Sequence, residues 1–328
     1  MRYRYVVITW LMALAPVSLW AQFAPAQDKP GTTAMHADSS AFVAWATGCE
    51  VERGPMRIDK PENGLASYGA DSLALGVPGG TFDVVSLGDG GVATLTFDSP
   101  IYNGTGPDFA VFENGFANAQ NPDTWALELG FVEVSSDGVN FFRFPAVTYV
   151  QTETQLDNGG SIIPAQLHNF ASKYGAFYGT PFDLDEVEDN ALLNKNRVTH
   201  IRIVDVVGCI KPEYATYDSK GHIVNDPWPT AFASSGFDLD AVGVIHDLAH
   251  SDVSENEEEV VSLYPNPVKD RLTVHAENLQ SVEVFNLVGQ LVMTSDQPVI
   301  EMNDLNQGVY FVRVKADGMI VTKRVVKQ

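Results

Sequence analysis

Cysteine is nearly absent from this 328-residue chain, which has only Cys49 and Cys209. No Cys-x-x-Cys pair exists, and that excludes a thiolate zinc site. A disulfide between the two would close a long loop and stabilise by roughly 4–5 kcal/mol in the chain-entropy picture. Two buried free thiols are the alternative. Positive charge is also scarce, with 20 Lys and Arg against 42 Asp and Glu and a net charge of −22. From residue 260 onward seven basic and seven acidic residues cancel, so the preceding residues carry the whole imbalance, 13 against 35. Such a surface repels phosphate backbones and excludes nucleic acid as a partner. It is compatible with bound divalent cations. A sustained helical period is missing as well: only "DEVEDNALLNKN" (residues 185–196) has the makings of a short helix. There is no Gly-x-Ser-x-Gly elbow, and "GVPGG" and "LGDGGV" lack the lysine of a phosphate loop, so no nucleotide or other organic cofactor is expected. After the N-terminus no apolar run approaches the 20 residues a membrane helix needs.

The run that does exist, "MRYRYVVITWLMALAPVSLWAQ", pairs two arginines with a short apolar stretch broken by Pro16. It predicts a secretory signal peptide over residues 1–21, cleaved after Ala21, leaving no transmembrane segment in the mature chain. Residues 22–39 are rich in Pro, Ala and Ser and read as a loose leader. Residues 40–248 carry short alternating runs separated by Gly, Asn, Asp and Pro, among them "GVATLTF", "DFAVFENGF" and "VTHIRIVDVVG". Ser136, Asp137 and Gly138 stand between two such runs and predict a hairpin turn. Many short strands with turn signals argue an all-β sandwich. Residues 249–259 are polar and acidic, as a solvated linker should be. Residues 260–328 form a second, smaller all-β module with four alternating runs.

The chemistry of residues 40–248 centres on carboxylates. In "SGFDLDAVGVI" (residues 235–245), strict alternation puts Asp238 and Asp240 on one face with Val242 and Val244. "TPFDLDEV" repeats the phrase at residues 180–187, and "GPDFAVFENGF" adds Asp108 and Glu113 in another apolar stretch. Half-buried carboxylates need partners, and this region has few cations. A hard ion with six to eight oxygen ligands would supply one, so Asp108, Glu113, Asp238 and Asp240 are candidate calcium ligands, with Asp183 and Asp205 behind them. "HDLAH" (residues 246–250) imitates a two-histidine zinc motif but lacks a third ligand. Glu128 and Glu133 offer a pair for glycoside hydrolysis, yet their odd spacing on a strand places them on opposite faces. No residue is assigned a catalytic role. Aromatic residues in or near loops, namely Trp45, Trp125, Trp228, Tyr174, Phe177 and Tyr178, are candidates for a sugar-stacking face, chiefly Trp125, Trp228 and Tyr178. Two prolines hold Trp228 rigidly in "NDPWPT".

Two resemblances sharpen this reading. "LYPNPVKDRLTV", "VEVFNLVGQLV", "LNQGVYFVRV" and "VTKRVVKQ" together resemble the type A C-terminal sorting domain of type IX secretion, over residues 260–328. That resemblance implies a seven-stranded immunoglobulin-like fold, engagement with the type IX machinery, and delivery to the outer surface of a Gram-negative cell or release from it. Pro265 and Pro267 fit an extended lead-in, and Gly308 a tight turn. The blocks of residues 48–245 resemble a family of bacterial secreted or cell-surface proteins. This second resemblance implies a jelly-roll sandwich, often with a structural calcium, and leaves the ligand undefined. The sequence therefore predicts a calcium-stabilised β-sandwich that binds a glycan or another extracellular nutrient. A secreted hydrolase and an adhesive or structural surface protein are the competing classes.

Overall fold

Apolar alternation in short runs produces strands and little else. The computed structural model describes residues 23–251, 261–276, 278–287, 289–316 and 319–328, so the signal peptide and most of the acidic linker lie outside the described residues. Among the described residues every helical turn is a 3-10 turn of three or four residues. The predicted short helix is reduced to two of them, Leu184–Glu186 and Lys195–Arg197, with Asp183 and Asn194 capping their first amides. Chain contacts separate two compact units, residues 1–252 and 253–328.

The first unit is built on seven longer strands: β1 (Gly48–Glu52), β2 (Val92–Ile101), β3 (Phe109–Glu113), β4 (Gly130–Ser135), β5 (Tyr178–Phe182), β6 (Val198–Asp205) and β7 (Asp238–Val244). One antiparallel sheet runs Met35–His36, β5, β3, β7, Ala44–Trp45, with Val85–Ser86 also on β7. The other runs Phe142–Arg143, β4, β6, β2, β1. Between them lies the core, with Leu95, Val132, Ile201 and Ile203 from the second sheet against Phe109, Val111, Phe237 and Leu239 from the first. This is the all-β sandwich that the turn-rich alternation predicts.

Two local departures matter. Residues 23–39 are not a loose leader. Ala26 is buried in an apolar cluster with Trp125 and Phe170, and Met35–His36 extends the first sheet beside β5. Met35, Ala37, Phe42 and Trp45 then cover Ala110, Phe112 and Ala241 on the sheet's outer face. The second departure is a β-bulge in β7. Leu239 pairs with Glu113, yet Ala241 pairs with Phe112, so one extra residue sits at Asp240. A bulge shifts the alternation by one. Phe237 and Leu239 face the core before it, and Val242 and Val244 after it. The aspartates therefore do not share a face with those valines, and the conflict seen in the sequence is resolved by the backbone.

The second unit holds seven strands among its described residues: β8 (Val261–Tyr264), β9 (Arg271–Ala276), β10 (Leu279–Asn286), β11 (Leu291–Ser295), β12 (Val299–Glu301), β13 (Gly308–Ala316) and β14 (Met319–Lys327). They form a three-stranded sheet, β8-β9-β12, and a four-stranded sheet, β11-β10-β13-β14. Val274, Val282, Val284, Val312 and Val325 fill its core.

Candidate functional site

The four carboxylates proposed as calcium ligands are all buried, but they do not form one cage. Asp108 precedes β3 and Glu113 ends it, so the strand's length separates them. Asp108 accepts from Gly104 N and Leu184 N at 2.7 Å each and from His246 Nδ1 at 2.8 Å. Glu113 accepts from Gly115 N at 2.7 Å and Ser172 Oγ at 2.8 Å. Asp238 accepts from Ser86 Oγ, and from Asn114 Nδ2 at 2.9 Å. Asp240 accepts from Gly79 N and Gly80 N at 2.8 and 3.1 Å. In place of the partners that a cation was expected to supply stand backbone amides, hydroxyls, an amide side chain and the His246 imidazole. Among the described residues no group of three or more His, Cys, Asp or Glu side chains is placed to hold a metal ion.

Burial governs the protonation of this acidic interior. It pushes Asp238 and Asp240 each up to about 6, against the opposing pull of their hydrogen bonds. Glu113 is held well above the usual carboxylate range by burial, with the charges of Asp238 and Asp240 adding to it. Glu128 is raised likewise by desolvation and then by Asp238, Glu113, Asp226 and Asp205. Asp205 and Asp226 are raised by burial too. Among the described residues Asp226 Oδ1 has no partner, while Oδ2 accepts from Leu129 N at 2.7 Å. Sequence spacing names neither Asp226 nor the grouping around Glu128, because both arise where loops return to the strand ends.

These buried acids tie down loops that carry exposed aromatics. Asp240 fixes Gly79 and Gly80, two residues before Phe82, which is 79% exposed. Tyr68 Oη donates to the Phe82 carbonyl at 2.8 Å. Asn114 bridges Asp238 to the Thr81 carbonyl, at 2.9 and 3.1 Å. Ala176 N donates to Gly115 O at 2.8 Å, joining the loops of Phe116 and Phe177. A Cβ on Gly80 would stand 2.5 Å from Phe177 Cζ, so only glycine lets that ring lie against the loop, and its φ of +94° favours glycine as well. Ser67 N and Tyr68 N both donate to Ala233 O, beside Phe232. Arg53 adds donors to the carbonyls of Tyr68, Gly69 and Ser86. Tyr68, Phe82, Phe116, Phe177 and Phe232 are therefore exposed side chains on one network of hydrogen-bonded loops.

Of the aromatic residues read from the sequence, Phe177 stands on this network, Tyr178 follows it in the chain, and Trp125 pairs with Ala117 beside Phe116. Trp228 is buried beside Val207 and Cys209, and its Nε1 donates to Asp89 Oδ2 at 2.9 Å. Trp125 is packed with Leu127 and Phe170. Tyr178 is half-buried and edge-on to His36. Burial removes both tryptophans from a ligand face, because rigid prolines and aromatic bulk also suit a core. Glu133 is gripped by Arg143, at 2.7 and 2.8 Å, and by Arg202, so it does not pair with Glu128 as a catalytic acid and base. His246 and His250 each bond a different aspartate, Asp108 and Asp247. Cys49 and Cys209 are free thiols in separate clusters, so the disulfide alternative is not formed. Burial pushes the Cys49 thiol up to about 12. Alkylation at pH 8 should leave Cys49 unmodified in the folded protein, and a reductant should leave its melting temperature unchanged; mass spectrometry and a melting curve check both.

The second unit is settled by comparison. Residues 262–328 match the family model described as secretion system C-terminal sorting domain. The tail is a type IX sorting domain. It marks the chain for export and for attachment to the cell surface or release, through the type IX secretion machinery. Ahead of the sorting domain, among the described residues, no helix is long and apolar enough to cross a membrane. No curated protein is similar enough in sequence to count as a relative. A solved structure, HBP35 of Porphyromonas gingivalis, is similar at 14% identity over 85% of this chain. The chain spans 63% of that protein, and the TM-score of 0.17 carries no argument about fold.

Proposed function

We propose that the sorting domain delivers a glycan-binding module to the cell surface, and that the module binds through its aromatic loop end. The observation that carries this reading is the set of five exposed aromatic residues on loops pinned by buried carboxylates. Exposed rings are costly unless covered, and they stack well on the apolar faces of sugar rings. Loops fixed before binding lose less entropy when a ligand arrives. The competing hydrolase reading loses its Glu133 to two arginines. An adhesive role without a small ligand remains the contrary outcome of the test. The mature chain on a glycan array, followed by calorimetry, should give a sugar ligand. Phe82→Ala and Phe116→Ala should each weaken it about tenfold, from lost stacking of about 1 kcal/mol or more per ring. Their melting temperatures should stay within a few degrees, because both rings are exposed. A blank array, or affinity indifferent to both changes, would sink the reading.

A further inference from the structure

The five exposed rings of the aromatic loop end share a lack that sets them apart. Elsewhere in this chain rings collect cations. Arg143 Cζ lies 4.2 Å from the Phe131 centroid, Arg202 Cζ 3.8 Å from that of Phe141, and Arg57 Cζ 5.5 Å from that of Trp228. Among the described residues no lysine or arginine stands over Tyr68, Phe82, Phe116, Phe177 or Phe232. Their loops, residues 67–71, 79–83, 114–117, 175–178 and 230–233, contain no Lys or Arg. Arg53, which reaches the first of them, is occupied by the carbonyls of Tyr68, Gly69 and Ser86.

The charge that these loops do present is negative. Asp71 is half-buried, accepts from Val51 N at 3.2 Å and lies 3.8 Å from Arg53. Asp83 directly follows Phe82 and is exposed, and among the described residues nothing donates to its carboxylate. Its place is fixed all the same. Asp83 N donates to Gly80 O at 3.2 Å, in the turn whose amides Asp240 holds. A Cβ on Gly79 would stand 2.5 Å from Asp83 Cβ, so the side chain lies against that turn. Its charge reaches Asp240, where it adds to the effect of burial.

Exposed rings and an open carboxylate on one loop are a poor match for an acidic glycan, which a net charge of −22 also repels. A sugar ammonium suits both. It is drawn to the faces of aromatic rings, and a carboxylate accepts charge-assisted hydrogen bonds from it. We propose that the loop end takes glycans bearing free amino groups, with Asp83 accepting from the sugar ammonium beside the Phe82 ring. That choice rests on the glycan-binding reading above and narrows the ligand to amino sugars. Asp83 is then the specificity-determining residue. An amino sugar and its N-acetylated counterpart offer the same ring to the aromatics, and only the charge on the carboxylate tells them apart.

Calorimetry of the mature full chain at pH 6 with a linear glucosamine tetramer tests it, beside the N-acetylglucosamine tetramer and a galacturonate tetramer. The amine tetramer should bind about fivefold tighter than the acetylated one, from an exposed ion pair and a cation–π contact together. The galacturonate should be the weakest of the three. Asp83→Asn should abolish the preference for the amine and leave affinity for the acetylated tetramer within about twofold, while Asp83→Glu should keep part of the preference. Both variants should melt within a few degrees of the parent, because the side chain is exposed. Raising salt from about 0.05 M to about 0.5 M should erode the preference, since exposed charge pairs are screened. Equal affinity for the amine and acetylated tetramers, a preference that survives Asp83→Asn, or tightest binding of the galacturonate overturns the amino-sugar assignment and leaves glycan binding standing. No heat from any tetramer, with other sugars bound on the array, overturns it in the same way. A blank array removes the glycan reading and this assignment together.

Discussion

The protein should melt about 10 °C higher at pH 5 than at pH 8. Asp238 and Asp240 are both raised from 3.8 to about 6 in the fold, mainly because burial disfavours their ionised forms. A carboxyl whose folded pKa lies above its unfolded value binds more protons when folded across that window. Stability therefore falls as pH rises from about 4 through about 6, and the deficit persists above. Between pH 5 and pH 8 a group shifted from 3.8 to about 6 loses about 1.4 kcal/mol, so the pair loses roughly 3 kcal/mol. Glu113, Glu128, Asp205 and Asp226 are displaced in the same direction and add to it. Opposing groups exist: His168 holds Glu186 low, and Arg57 holds Asp59 low. Their loss of stability comes as pH falls below about 4, outside the window compared. At roughly 2–4 °C per kcal/mol for a unit of this size, the pair alone gives a shift of that order. Scanning calorimetry from pH 4.5 to 8.5 measures it, and a flat or rising profile would contradict the burial of these acids.

The sandwich and the sorting domain were legible because they rest on repeated local signals. Alternation in "VTHIRIVDVV" gives β6, whose Ile201 and Ile203 face the core, and the four tail blocks give the strands of the second unit. The aspartates of β7 were legible as buried but not as to their partners. A bulge of one residue at Asp240 leaves no mark in composition, yet it reverses which neighbours share a face. Amides of Gly79 and Gly80 satisfy Asp240, and those of Gly104 and Gly115 help satisfy Asp108 and Glu113, and nearly every sequence position has such an amide. The sequence argument for calcium weighs only side-chain cations, which are rare here, whereas backbone amides can also satisfy a buried carboxylate. Which aromatic residues are exposed is hidden from the sequence for a related reason. Trp228 has a polar partner in Asp89, 139 residues earlier, while Phe82 and Phe116 have no sequence feature that distinguishes an exposed ring from a core one.

Asp108→Ala should destabilise the first unit by about 3–5 kcal/mol, the largest loss expected from any single change to these acids. The side chain is fully buried and accepts three hydrogen bonds, from Gly104 N, Leu184 N and His246 Nδ1. Truncation to alanine leaves those donors facing a cavity, at about 1–3 kcal/mol for each one that water does not reach. His246 is half-buried and recovers some solvent, which holds the total below the simple sum. The fit is also close: a Cβ on Gly104 would lie 2.2 Å from His246 Nδ1, so the loop has little freedom to collapse into the space. Asp108→Asn keeps one acceptor oxygen and nearly the same volume, and should cost about 1–2 kcal/mol. Urea unfolding of the two variants checks the order and the sizes. The same titration, run with calcium and then with a chelator, separates this account from a metal cage. Here the carboxylate's work is done by two amides and an imidazole, so neither addition should move the midpoint of the unaltered protein or of Asp108→Asn. A midpoint that rises with calcium in the parent and loses that rise in Asp108→Asn would show that the ion, not the amides, is the true partner of Asp108.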